Sequence, residues 1–216
     1  MLLRRLTVAA AAIGLCTAVV VPAASASAAP RQATGTASLA ALLTADGDRF
    51  DDNADDFDIV TEAVLAVVAA KPDSPVAVLG DGSVPVTAFL PTDRAFRNLA
   101  YQLTGQWITV ERKLFTTLVQ VLGVDTIESV LLYHVVPGST LTAADVLGGG
   151  RATLTTALGS PIRVDVVSRS SAIVRLRDLD YSDKDPYLVT SALDLNAGNR
   201  QIAHAVTAVL RPVNLP

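Results

Sequence analysis

The chain has 216 residues, with 17 Lys and Arg against 21 Asp and Glu, two histidines and one cysteine. That length suits one domain once a leader is removed and is thin for two. A net charge of −4 without a basic stripe argues against nucleic acid, whose phosphates need clustered cations, and one cysteine excludes an internal disulfide framework.

Arg4 and Arg5 precede an unbroken apolar run over residues 6–21, and small residues follow in "PAASASAAP". A basic start, an apolar middle and an A-x-A-like end describe a secretory signal peptide, cleaved after Ala26 or Ala28. The alternative is an uncleaved anchor, but the run is short of the roughly 20 residues a bilayer span needs. The expected organisation is a signal peptide over 1–28, a flexible leader over 29–37 and one domain over 38–213. Loss of the leader removes Cys16 and two arginines, leaving no thiol and a net charge of −6. No second stretch reads as a span, so stable membrane insertion after cleavage is not expected.

Leu39, Leu42 and Leu43 sit at helical spacing. After an acidic stretch, Ile59, Val60, Ala63, Val64, Val67 and Val68 form a stripe of period near 3.6, predicting a helix with Asp58 as its cap. The "GDG" at Gly80–Gly82 reads as a turn. "TAFLP" reads as a strand ended by Pro91, and Thr92 as the cap of a helix carrying Phe96, Leu99, Ala100 and Leu103. A further helix places Leu114, Leu118 and Leu122 on one face and closes at Gly123. Asp125 and Glu128 would form a capping box for the next helix, whose Ile127, Val130, Leu131 and His134 fall at i, i+3, i+4 and i+7. That puts His134 on a buried stripe, where a neutral, hydrogen-bonded ring is the ordinary state.

The period then changes to two. "RATLTT", "IRVDVV" and "AIVRLRD" predict three strands, with "LGSP" and "SRSS" as turns. In "QIAHAVTAVL", His204 shares a face with Ile202 and Val206. Helices early and strands late predict a mixed α+β domain.

Little in this order of residues carries chemistry. No G-x-S-x-G elbow occurs, and neither histidine has a local acidic partner. "GGGR" at Gly148–Arg151 lacks the Lys-Ser/Thr of a phosphate loop. Two separated histidines and no mature cysteine do not make a zinc site. Calcium has the better pattern: Asp51, Asn53, Asp55 and Glu62 fall at positions 1, 3, 5 and 12 of a calcium loop. Asp56 stands where that loop needs glycine and Asp58 where it needs an apolar residue, so a solvated acidic loop is the simpler reading. "DLDYSDKD" at Asp178–Asp185 reads as a second surface loop.

Three stretches together resemble the fasciclin-domain family: "TAFLPTDRAF", "LLYHVVPG" followed by "LTAADVL", and "IAHAVTAVLRP". The third departs from the family pattern, with "GNRQ" before the histidine where Asn-Gly is usual and Thr207 where an aspartate is common. The resemblance spans roughly residues 38–213. It implies an α+β fold in which a β-rich wedge of two sheets has several helices packed alongside. It also implies a secreted, non-catalytic adhesion or interaction module without a cofactor, as in secreted bacterial members of the family. The implied site is the cell surface or extracellular matrix, and the implied partner a cell-surface or matrix protein or a polysaccharide. The motif residues Thr87, Phe89, Pro91, Thr92, Phe96, Tyr133, His134 and His204 are then structural. Phe89 and Phe96 anchor the core, and Tyr133 and His134 lock helix to sheet. A carrier of a small lipophilic ligand is the alternative. An extracellular hydrolase is the third reading, and it requires His134 or His204 beside a serine and an aspartate in space.

Overall fold

The fold is built on strand β1 (Val86–Pro91), which is buried along its whole length. A computed structural model describes residues 35–215 apart from 46, 48, 49 and 52, so the expected signal peptide lies outside the described residues. Strand β1 pairs antiparallel with β2 (Val135–Pro137) and parallel with β6 (Gln201–Val206). "VTAFLP" has no polar face because both of its faces are covered. Successive side chains point to opposite sides. Val86, Ala88 and Leu90 therefore join a helical core, while Phe89 joins a second core against the other sheet.

The helical side comprises α1 (Leu39–Leu43), α2 (Asp58–Ala70), a 3-10 turn at Pro75–Gly80, α3 (Asp93–Thr104) and α4 (Glu111–Tyr133). Ile59, Val64, Phe96, Leu99, Leu114 and Leu118 interlock there, as their spacing predicts. The cap expected for α2 differs. Asp58 is the first residue of α2, after Phe57, and accepts from the Asp51 amide at 3.2 Å. The Ile59 amide in that first turn is satisfied by Asp93 Oδ1 at 3.0 Å, from 34 residues away.

Gly123 also departs from expectation. Its φ of 74° and ψ of 162° kink the chain, and helix resumes directly within α4. Instead of a capping box, Asp125 and Glu128 both hold Lys71, with Glu128 at 2.6 Å. Helix α4 is long and apolar enough to cross a membrane by length and composition, which the sequence reading did not anticipate. Gly123 breaks its helical geometry, and Leu114, Leu118, Val130 and Leu131 pack into the core, with 28% of its apolar stretch buried.

The second sheet is antiparallel, in the order β3 (Arg151–Thr155), β4 (Pro161–Ser168), β5 (Ile173–Arg177). Ile162, Val164, Val174 and Leu176 face inward, as the alternation predicts. Helix α5 (Ala143–Gly149) leads into it, capped reciprocally by Thr142 and Asp145. The segment around Pro186–Val189 joins the two sheets. The Leu176 amide donates to Pro186 O at 2.8 Å, and the Val189 amide to Ala205 O at 2.8 Å. This covers the outer edges of both β5 and β6. The residues of β6 are buried on both faces. The described architecture is mixed α+β with two small sheets, as expected.

The hydrogen-bonded chain reaches back into the stretch read as a flexible leader. Gly35 bridges Asn199, and the Ala37 amide donates to Asn199 Oδ1 at 3.0 Å. Gly82 is more than a turn residue: a Cβ there would run into the Thr36 carbonyl. The acidic segment at Asp178–Asp185 is also no plain surface loop, because Asp178 and Asp180 are buried.

Candidate functional site

The motif residues converge where β1, the end of α4 and β6 meet. His134 caps α4 and is buried. Its Nδ1 bonds Val130 O at 2.7 Å and its Nε2 bonds the Leu210 amide at 2.9 Å. A carbonyl can only accept and an amide can only donate, so Nδ1 carries the proton and Nε2 is bare. Burial holds the ring well below its ordinary range, at about 4. His204 uses the opposite tautomer. Its Nε2 donates to Leu141 O at 2.9 Å and its Nδ1 accepts from the Asp194 amide at 3.2 Å. Burial lowers its pKa as well.

The neighbouring motif positions also tie chain segments together. The Tyr133 hydroxyl donates to Pro161 O at 2.8 Å, joining α4 to the second sheet, and burial raises its pKa. Thr87 donates to Ser139 O at 2.9 Å and accepts from the Leu141 amide at 2.8 Å. Phe89 is fully buried, with its ring 6.2 Å from that of His204. Pro91 pairs with Val206 at the end of β1. Thr92 starts α3 through its carbonyl, which accepts from Ala95 at 2.8 Å, and not through its side chain. Phe96 lies in the helical core. A triad needs one imidazole nitrogen on a hydroxyl and the other on a carboxylate. Here all four ring nitrogens are occupied by backbone groups.

The calcium-loop residues do not share one centre. Asp51 accepts from the Asn53 amide at 2.6 Å and Asn53 from the Asp55 amide at 3.2 Å. Asp55 grips Arg94 with two bonds of 3.0 Å. Among the described residues, carboxylates cluster instead as Asp51, Asp56 and Glu111, and as Asp56, Asp58 and Asp93, and Glu62 is in neither group. Burial pushes Asp93 up to about 8 and Glu111 up to about 7, although Arg97 bonds Glu111 at 2.9 Å.

Three buried polar residues escaped the sequence reading. Gln201 accepts from the Leu39 amide at 2.8 Å and donates to Val78 O at 2.7 Å and Asp81 O at 2.9 Å. Asp93 holds α2, as above. Arg211 binds Asp180 at 3.1 Å, Asp183 at 3.3 Å and Gln102. Its amide donates to Asp178 at 2.8 Å. A glutamine within an apolar strand and an arginine within an apolar tail were the available signals.

Two cavities bear on function. An open cleft of about 760 Å³ lies beside α3, lined by Tyr101, Gln102, Asp183, Tyr187 and Arg211 among others. The apolar void between α2, α3 and α4 holds only about 30 Å³. That is room for one or two waters, far below the roughly 300–1,000 Å³ of a ligand pocket.

Residues 60–212 match the fasciclin domain. The chain belongs to the fasciclin domain family. Members are commonly adhesion-related modules. Among solved structures, this fasciclin domain is similar to a FAS1 domain pair from the insect cell adhesion molecule Fasciclin I. The TM-score is 0.49 at 15% identity, covering 70% of this chain and 46% of that one. The fasciclin chain thus corresponds to less than half of that domain pair. No curated protein matches it.

Proposed function

We propose that this fasciclin domain is an exported, non-catalytic interaction module. It acts at the cell surface or in the extracellular matrix by presenting its outer surface to a protein or polysaccharide. The observation that supports this is the full commitment of both imidazoles to backbone partners. A ring that must break a buried hydrogen bond before it can take a proton is a poor general base. The motif residues are structural in this reading, the domain runs over 38–213, and residues 1–28 direct export.

The purified chain should be retained by one envelope or matrix fraction of the producing cell. Hydrolysis of a panel of ester, peptide and glycoside substrates should stay at background. Turnover that disappears in His134→Ala or His204→Ala, with the fold intact by circular dichroism, would overturn the proposal.

A further inference from the structure

The outward face of the second sheet departs from the charge of the chain around it. Strand register puts Arg151, Asp165 and Arg175 in one row, and Thr153, Arg163 and Arg177 in the next. Four arginines therefore stand together in a chain whose net charge is negative. Arg163 and Arg177 lie directly opposite each other, a pairing of like charges that costs stability in an antiparallel sheet. Neighbouring strands are about 4.8 Å apart and alternate residues about 6.8 Å apart, so the guanidinium groups form a close-set grid.

The acids nearby do not saturate this grid. Asp165 is shared by Arg151 at 3.3 Å, Arg175 at 3.1 Å and Arg177 at 2.7 Å. Asp185 adds one longer contact, 3.8 Å from Arg175. Arg163 is exposed and makes no ion pair with any described residue. The Arg151 side chain is 88% exposed despite its contact. A guanidinium presents a planar fork that matches a carboxylate with two parallel hydrogen bonds.

We propose that this face, built on Arg151, Arg163, Arg175 and Arg177, is a docking surface for an acidic polysaccharide bearing one carboxylate per uronate ring. The rows run across all three strands, which suits an extended chain. Thr153 and Thr155 stand on the same exposed surface and offer hydroxyls to sugar hydroxyls. Strands β3, β4 and β5 place no Trp, Tyr, Phe or Leu in these rows. Tyr187, bridged to Arg175 and 38% exposed, extends the first row and offers an aromatic face on which a sugar ring can stack. The inference rests on the reading of this chain as a surface-presenting module, and it names the partner's chemistry and the place where it binds.

The test is binding of the purified chain to immobilised polygalacturonate, with dextran, anionic phosphatidylglycerol vesicles, polyglutamate and duplex DNA as the other arms. Retention on polygalacturonate alone is expected at 50 mM salt, with affinity falling about tenfold by 200 mM. The double variant Arg163→Gln, Arg177→Gln should lose at least about tenfold in affinity. Asp165→Asn should bind severalfold tighter, because it releases the arginines that share this acid. A gain of binding on losing a salt-bridged residue is not expected of a purely structural role. Melting temperature is measured for each variant, so a loss of fold is not read as a loss of binding. Equal binding by the wild-type chain and the double variant overturns the proposal. So does retention on dextran, or stronger binding to vesicles, peptide or DNA. If envelope or matrix material is captured equally by the wild-type chain and the double variant, this inference fails and the interaction module stands. If neither captures anything, both fail.

Discussion

The chain buries polar groups in two styles. Around His134 and His204, neutral rings meet backbone amides and carbonyls, and each ring joins distant segments without a charge. Around Arg211, charges face one another: its buried guanidinium pairs with Asp180 and Asp183, while its backbone amide donates to Asp178. Burial pushes Asp178 up to about 6 and also raises Asp183. Burial acts on Asp180 as well, but hydrogen bonds from Ser182 and Arg211 outweigh it, so its pKa ends lowered. Asp180 holds the shorter ion pair with Arg211, 3.1 Å against 3.3 Å for Asp183. A neutral staple loses hydrogen bonds when it is cut, whereas a charged one leaves an ion stranded in a poor solvent.

That contrast orders the expected effects. Arg211→Met should be the most damaging, by about 3–5 kcal/mol, because it strands buried carboxylates. Adding Asp180→Asn should restore part of the loss in chemical denaturation; a strictly additive pair would break the contrast. His134→Ala should cost about 3 kcal/mol, since Val130 O and the Leu210 amide both lose a buried partner. An unchanged melting temperature would remove its structural role. His204→Ala should cost less, about 2 kcal/mol, because its bond to the Asp194 amide is longer, at 3.2 Å.

The pH dependence sharpens the same comparison. His134 titrates at about 4 in the folded chain, below its ordinary 6.5. The unfolded chain thus binds its proton first, and that stabilisation is lost as pH falls from 6.5 towards 4. Asp93 is raised to about 8 and Glu111 to about 7, so the folded chain holds their protons longer. Their contribution is lost as pH rises towards 8. The two raised carboxyls outweigh the single histidine, so stability is expected to fall as pH rises from about 4.5 towards 8, with Asp93→Asn flattening that decline in a melting-temperature profile. Gly82→Ala should cost about 1–3 kcal/mol, because the added Cβ would meet the Thr36 and Ala37 backbone and not a flexible side chain. A lowered melting temperature with faster proteolysis near residue 36 would show it.

Individual residues show how far the sequence could be read. Ile162, Val164, Val174 and Leu176 were legible as one face because a half-covered sheet writes its cover into every second residue. His134 was legible as buried because helical spacing set it with Val130 and Leu131. Asp93 was not legible as the anchor of the Ile59 amide, nor Asp125 and Glu128 as partners of Lys71. Those pairs depend on which helices meet, and local cap patterns do not encode that. The acids at Asp178–Asp185 read as solvated because their cation, Arg211, lies some thirty positions further on.

The order of residues alone determined most of the helices and strands and the apolar faces, because periodicity and local steric preference act over a few residues, and its motifs carried the fasciclin family. Only the tertiary structure decided which tautomer each histidine adopts, which carboxylates share a cation and which arginines stand side by side on the second sheet. Those outcomes depend on strand register and helix packing, which bring together groups from distant parts of the chain.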